Sequence, residues 1–270
     1  MKNTIYCLFV LIFALFLSSC NQTPKEKIES QVDKAGYTAA TKKITGAEGT
    51  GGAILFKKAT TSPQIDGIVE STWDDADWIS IDQKWMGPDF TPSDYSGRYK
   101  CLWDANHLYL LAEIQDDVLM ETRGEVLDRY WDDDCLEIFI DEDRSKGDHR
   151  FNHNAFAYHI LPNGLVADIG TDKNPRLYSH LRCARQSPEK SGKHIWELEM
   201  DIYTDDYVDD GDNKPITLTA GKTMGFVVAY CDNDKSEERE NFFGSVFIPG
   251  EDKNRCWIDA NVFGEVQLVE

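Results

Sequence analysis

Trp131-Asp132-Asp133-Asp134-Cys135-Leu136-Glu137-Ile138-Phe139-Ile140-Asp141 decides how this chain is read. Leu136, Ile138 and Ile140 alternate against Cys135, Glu137, Phe139 and Asp141. A period of two puts the two sets on opposite faces of a strand. The same rhythm occurs upstream, where Leu108, Leu110, Ala112 and Ile114 alternate against Tyr109, Leu111, Glu113 and Gln115. Downstream, Trp196, Leu198, Met200 and Ile202 alternate against Ile195, Glu197, Glu199 and Asp201, and Met224, Phe226, Val228 and Tyr230 form a further set. Turn clusters at Asp104-Ala105-Asn106, at Pro162-Asn163-Gly164 and over 209–213 separate these runs. No long segment keeps a 3.6 period with caps, and there is no βαβ rhythm. The expectation is an all-β fold, an antiparallel β-sandwich of the jelly-roll kind.

Composition narrows the function. The 270 residues hold 28 Lys+Arg against 48 Asp+Glu, a formal charge of −20. Phosphate binding needs a basic surface, so a nucleic-acid partner is excluded, and so is charge-driven adhesion to anionic lipid. With 41% hydrophobic and 11% aromatic residues the chain can build a core.

The N-terminal stretch reads as an export signal. Met1-Lys2-Asn3 precedes 13 unbroken apolar residues, Ile5 to Leu17. That length suits a signal-peptide core and is short of the roughly 20 residues needed to span a bilayer. Leu17-Ser18-Ser19-Cys20 looks like a bacterial lipobox, which makes Cys20 the lipidated residue. The expected organisation is a lipoprotein signal peptide over 1–19, a lipidated start and polar tether over 20–52, and one domain over 53–270. Asn21 follows the cysteine where an inner-membrane retention Asp would stand. The expected location is therefore the bacterial cell envelope, at the outer membrane, held by lipid alone.

Outside the leader and Cys20, five cysteines remain: Cys101, Cys135, Cys183, Cys231 and Cys256. None forms a CxxC, and an odd count leaves at least one unpaired. One disulfide is compatible with export, but spacing does not choose its partners. An EF-hand register on Gly211 fails, because Val208 and Thr217 fall on ligand positions. His149, His153 and His159 match no zinc spacing. Glu137 with Glu199 or Asp201 could be imagined as the acid and base of a glycosidase.

The tryptophans are the more informative signal. Trp103 and Trp196 sit in strand patterns and read as packing. Trp131 precedes three aspartates, and Trp257 ends a polar stretch, Glu251 to Cys256. Large rings beside carboxylates and amides suit a saccharide, whose C–H face stacks while its hydroxyls take hydrogen bonds.

Seven pieces, in order, resemble the family 9 carbohydrate-binding modules. They are Ile65-Asp66-Gly67 with Glu70 and Trp73; Leu102 to Tyr109; Ile114-Gln115-Asp116; Trp131 to Asp141; Gly225-Phe226; Trp257; and Phe263-Gly264. The resemblance implies a DOMON-like β-sandwich that binds sugar without catalysis, in a slot between two tryptophans matching Trp131 and Trp257. It matches the polar groups of that slot to Glu137 and Asn254. It implies a structural Ca2+, with Asp116 and Asp134 as candidate ligands, and partners among glycan-degrading or uptake proteins. Where the family has an arginine and a glutamine, this chain has Ala157 and Ala229, with Arg150 or His159 as neighbouring substitutes. Two other readings remain: a glycoside hydrolase or its accessory domain on plant-type polysaccharide, and a DOMON-like haem or redox module.

Overall fold

A computed structural model describes residues 52–120, 124–187 and 192–270. The leader, Cys20 and the tether as far as 51 lie outside them. The alternating runs form strands. In chain order these are β1 (Ile54–Lys58), β2 (Ile79–Ile81), β3 (Gln83–Met86), β4 (Tyr95–Trp103), β5 (Leu108–Asp116), β6 (Cys135–Asp141) and β7 (Phe156–Ile160). There follow β8 (Val166–Ile169), β9 (Pro175–Leu177), β10 (Leu181–Gln186), β11 (Lys193–Met200), β12 (Thr223–Asp232), β13 (Asn241–Gly244) and β14 (Gly264–Val269).

The strands form a β-sandwich. One layer runs β10-β11-β5-β4, with β2 also on β4, and the other runs β14-β12-β6-β7-β8-β9, with β13 on β12 and β3 on β13. β1 connects them. Ile54 to Lys57 pair with β14, and Lys57 and Lys58 pair with β4. Both pairings are parallel, so the sheet is mixed rather than purely antiparallel. The strand patterns carry no information about direction, and β1 enters alongside two strands far away in sequence.

Aromatic rings fill the space between layers. Phe56 meets Phe226 edge-on at 5.3 Å, and Tyr95 stacks on Phe243 at 3.7 Å and on Tyr230 at 5.6 Å. Each ring buried in this way contributes about 1.5–3 kcal/mol. β5 serves two cores: Leu108, Leu110, Ala112 and Ile114 face the main one, while Tyr109 and Leu111 join Trp73, Leu102 and Ile195 in a second.

Glu197 organises the edge of that second core. Its Oε2 accepts from the Gly67 and Asp66 backbone N–H groups at 2.8 and 3.2 Å, and its Oε1 from Trp73 Nε1 at 2.9 Å. Gly67 has φ +81°, and a Cβ there would lie 2.4 Å from Gln186 Cγ. The Ile65-Asp66-Gly67…Trp73 piece therefore closes a core. It does not contact the cavity described next.

Candidate functional site

All seven residues of β6 are buried, although one face of an alternating strand is usually wet. Leu136, Ile138 and Ile140 face the inter-sheet core, while Glu137 and Phe139 line a cavity of about 390 Å³ on the other side. Trp131 reaches this cavity from a single 3₁₀ turn, Tyr130–Asp132, entered through Arg129 at φ +49°. Its ring is partly buried and meets Tyr130 edge-on at 5.1 Å. Trp257 and Asn254 line the cavity from the loop between β13 and β14, and Trp257 is 41% exposed. The fold thus brings together four residues spread from 131 to 257.

Glu137 is the polar centre. His159 Nε2 lies 3.1 Å from its Oε1, the Cys231 thiol donates to the same oxygen at 2.9 Å, and Arg239 Nη1 donates at 3.4 Å. Burial would raise the carboxyl, but the His159 and Arg239 charges and these bonds outweigh it and hold Glu137 below its usual range. His159 shows the converse. Burial would lower it, but the Glu137 carboxylate raises it. The geometry requires the same, because His159 Nδ1 is 3.0 Å from the Ala157 carbonyl, which can only accept. Both ring nitrogens then carry protons.

Arg239 is the principal residue that the sequence reading missed. Its Nη1 also lies 3.0 Å from Cys231 Sγ, its Nη2 donates to Asn254 Oδ1 at 3.4 Å, and its guanidinium sits 4.2 Å from the centre of the Phe242 ring. It occupies Ser236-Glu237-Glu238-Arg239-Glu240, where nothing in the local pattern singles it out. Asp168 was also missed. It lines the cavity, accepts from the Ala157 and Ile169 N–H groups, and burial raises it to about 7 despite nearby His159. Ala157 lines the cavity, and Ala229 is fully buried opposite Glu137 on β12. Of the two suggested substitutes, His159 contacts Glu137, and Arg150 stands exposed at the cavity wall.

The acid pairing imagined for hydrolysis does not form. Glu199 and Asp201 flank His107 at 3.9 and 3.4 Å, outside the cavity lining. The three histidines all reach the cavity, but each has its own partner: Cys256 O for His149, Asp209 for His153 and Glu137 for His159.

Asp116 and Asp134 lie elsewhere, in a group with Asp232 whose carboxylate oxygens lie within 4.8 Å of one another. Asp116 ends β5, Asp134 precedes β6 and Asp232 ends β12. Exposures are 1%, 0% and 6%. Burial, with the mutual repulsion of the acids, raises the three to about 6, 9 and 8. Beside them stand Asp94, Asp117 and Asp234, and Asp234 Oδ1 is buried without a hydrogen-bond partner among the described residues. Oxygen-only donors gathered this closely fit a hard divalent cation.

The chain is similar to known proteins over most of this domain. Residues 65–270 match the family model described as carbohydrate family 9 binding domain-like. Endo-1,4-beta-xylanase A of Thermotoga maritima is 33% identical over 210 residues, and endo-1,4-beta-xylanase C of Paenibacillus barcinonensis 31% over 209. Each alignment covers 77% of this chain but only 17% of the relative's length. Among solved structures, a family 9 carbohydrate-binding module from Caldicellulosiruptor kristjanssonii in complex with cellotriose superposes with a TM-score of 0.57 at 19% identity. That alignment covers 81% of this chain and 94% of that one. A protein from Bacteroides uniformis superposes at 0.51 and 17% identity, covering 80% and 98%. With three-quarters of its length matched by the family model and a sandwich shared with solved members, the chain belongs to the family 9 carbohydrate-binding modules.

Proposed function

We propose that this protein binds saccharide without catalysis, with a sugar ring stacked between Trp131 and Trp257. The convergence of both rings with Glu137 and Asn254 on one cavity carries this reading. Each stacked ring adds about 0.5–1.5 kcal/mol beyond the area it buries. The three donors to Glu137 converge on Oε1, so Oε2 is offered to sugar hydroxyls. Arg239 holds Asn254 by its oxygen, which directs the Asn254 amide N–H groups to the ligand as donors. The ligand that fits has a hydroxyl able to donate to Glu137 and an oxygen able to accept from Asn254.

The buried Asp116, Asp134 and Asp232 would hold a structural Ca2+ away from the sugar, fixing the ends of β5, β6 and β12. The lipobox at Cys20 supports a lipid-anchored protein of the bacterial cell envelope, placed at the outer membrane. There the domain would present glycan to degrading or uptake proteins. Isothermal titration against cello-, xylo- and other oligosaccharides tests the binding. A sugar should bind to the wild type, and Trp131→Ala and Trp257→Ala should each weaken it at least about tenfold, or about 1.4 kcal/mol. Equal binding by the variants would refute the stacking.

A further inference from the structure

Cys135 begins β6, and Cys231 lies directly opposite it on the antiparallel neighbour β12. Opposed residues in such a pair have Cα atoms about 4.5–5.5 Å apart, inside the range a disulfide spans. The two sulfurs lie within 4.8 Å of each other. Among the described residues the other three cysteines have no such arrangement. Cys101 is in register with Leu110, Cys183 with Leu198, and Cys256 sits in the loop before Trp257. We infer that Cys135 and Cys231 form a disulfide when the domain folds in an oxidising environment, tying β6 to β12 beneath Glu137.

The two sulfurs and Glu137 also have the makings of a metal site, but Arg239 Nη1 stands 3.0 Å from Cys231 Sγ. That cation opposes a metal ion and leaves a neutral disulfide unopposed. Both cysteines are fully buried, so the bond closes while the strands assemble and not afterwards. In the exchange, two thiols lose two protons and two electrons to glutathione disulfide, which leaves as two glutathione thiols. The bond closes a loop of 231 − 135 = 96 residues, long enough for a large restriction of the unfolded chain. It also removes the Cys231 S–H donor from Glu137, leaving His159 and Arg239 on that oxygen.

The experiment refolds the reduced, denatured domain in a glutathione redox buffer, alkylates it in denaturant and maps its peptides by mass without reduction. The expected product is one cross-linked pair holding Cys135 and Cys231, two hydrogens lighter than the free peptides, with Cys101, Cys183 and Cys256 alkylated. Reductant should lower the Tm of this product by roughly 5–15 °C. Cys231→Ser keeps a hydroxyl for Glu137 while losing the bond, so its Tm should not respond to reductant. Alkylation of all five cysteines, a cross-link between another pair, or a wild-type Tm unmoved by reductant overturns the assignment. None of these readouts depends on a sugar being bound.

Discussion

Replacing Glu137 by Gln keeps the shape of the side chain and removes the charge on which His159 and Arg239 converge. Breaking a buried ion pair from one side costs about 3–5 kcal/mol. Two features place this site at the low end. His159 can release its proton and become neutral, and Arg239 keeps Asn254 and the Phe242 face. A loss of about 3 kcal/mol lowers the Tm by roughly 6–12 °C for a domain of this size. The pH dependence follows from the two shifts. His159 is raised, so its contribution is full below the unfolded value of about 6.5 and is lost as pH rises through its higher folded value. Glu137 is lowered, so its contribution is present above about 4.3 and is lost only as pH falls through its lower folded value. The gap between wild type and Glu137→Gln should therefore be widest near pH 5–6.5 and shrink toward pH 9. It should not close, because Arg239 still pairs with Glu137 there. Calorimetric unfolding of both proteins across this range measures it. Equal Tm values at pH 6, or a gap that widens toward pH 9, would show that Glu137 and His159 do not share a charge-assisted bond.

Trp131 and Trp257 should separate stability from binding. Trp131 packs partly on the core, so Trp131→Ala should cost about 2 kcal/mol, whereas half-exposed Trp257→Ala should cost under about 1 kcal/mol; chemical denaturation distinguishes them. Removing Ca2+ with a chelator should lower the Tm at pH 7 by about 5–10 °C if the metal was at a hundred times its Kd. Asp134→Asn should be indifferent to chelator in the same thermal scan. Glu197→Gln leaves one oxygen for three N–H donors and should cost about 1–3 kcal/mol in urea unfolding without changing sugar affinity.

What the sequence disclosed follows from range. Alternation at 108–115 and 136–140 is a local property, and β5 and β6 stand where it placed them. Trp131 and Trp257 stood out because a large ring among acids and amides conflicts with its surroundings, and both line the cavity. The pairing of β1 with β14, the pairing of β6 with β12 and the arrival of Arg239 at Glu137 join residues about 80 to 210 positions apart. No local period encodes such partners. Cys135 and Cys231 look like small apolar residues until the register places one against the other. Asp232 reads as one more acid in an acidic chain until β12 brings it to Asp116 and Asp134.

The alanines at 157 and 229 bear on the polar groups around Glu137. An arginine at 157 would stand on β7, two residues before His159 on the same face of the strand. In its place His159 and Arg239 approach Glu137 from a neighbouring strand and a loop, and both bond to its Oε1. Both cations thus bond the acid, and Arg150 stands exposed at the cavity wall. Most of the chain's −20 charge lies outside the cavity. Inside it, Glu137 faces two cations while Asp168 is raised to about 7. The cavity is thus near neutral or slightly positive within a strongly acidic protein. An uncharged hydroxyl-rich ligand suits that balance, and polyanion binding through the rest of the surface does not.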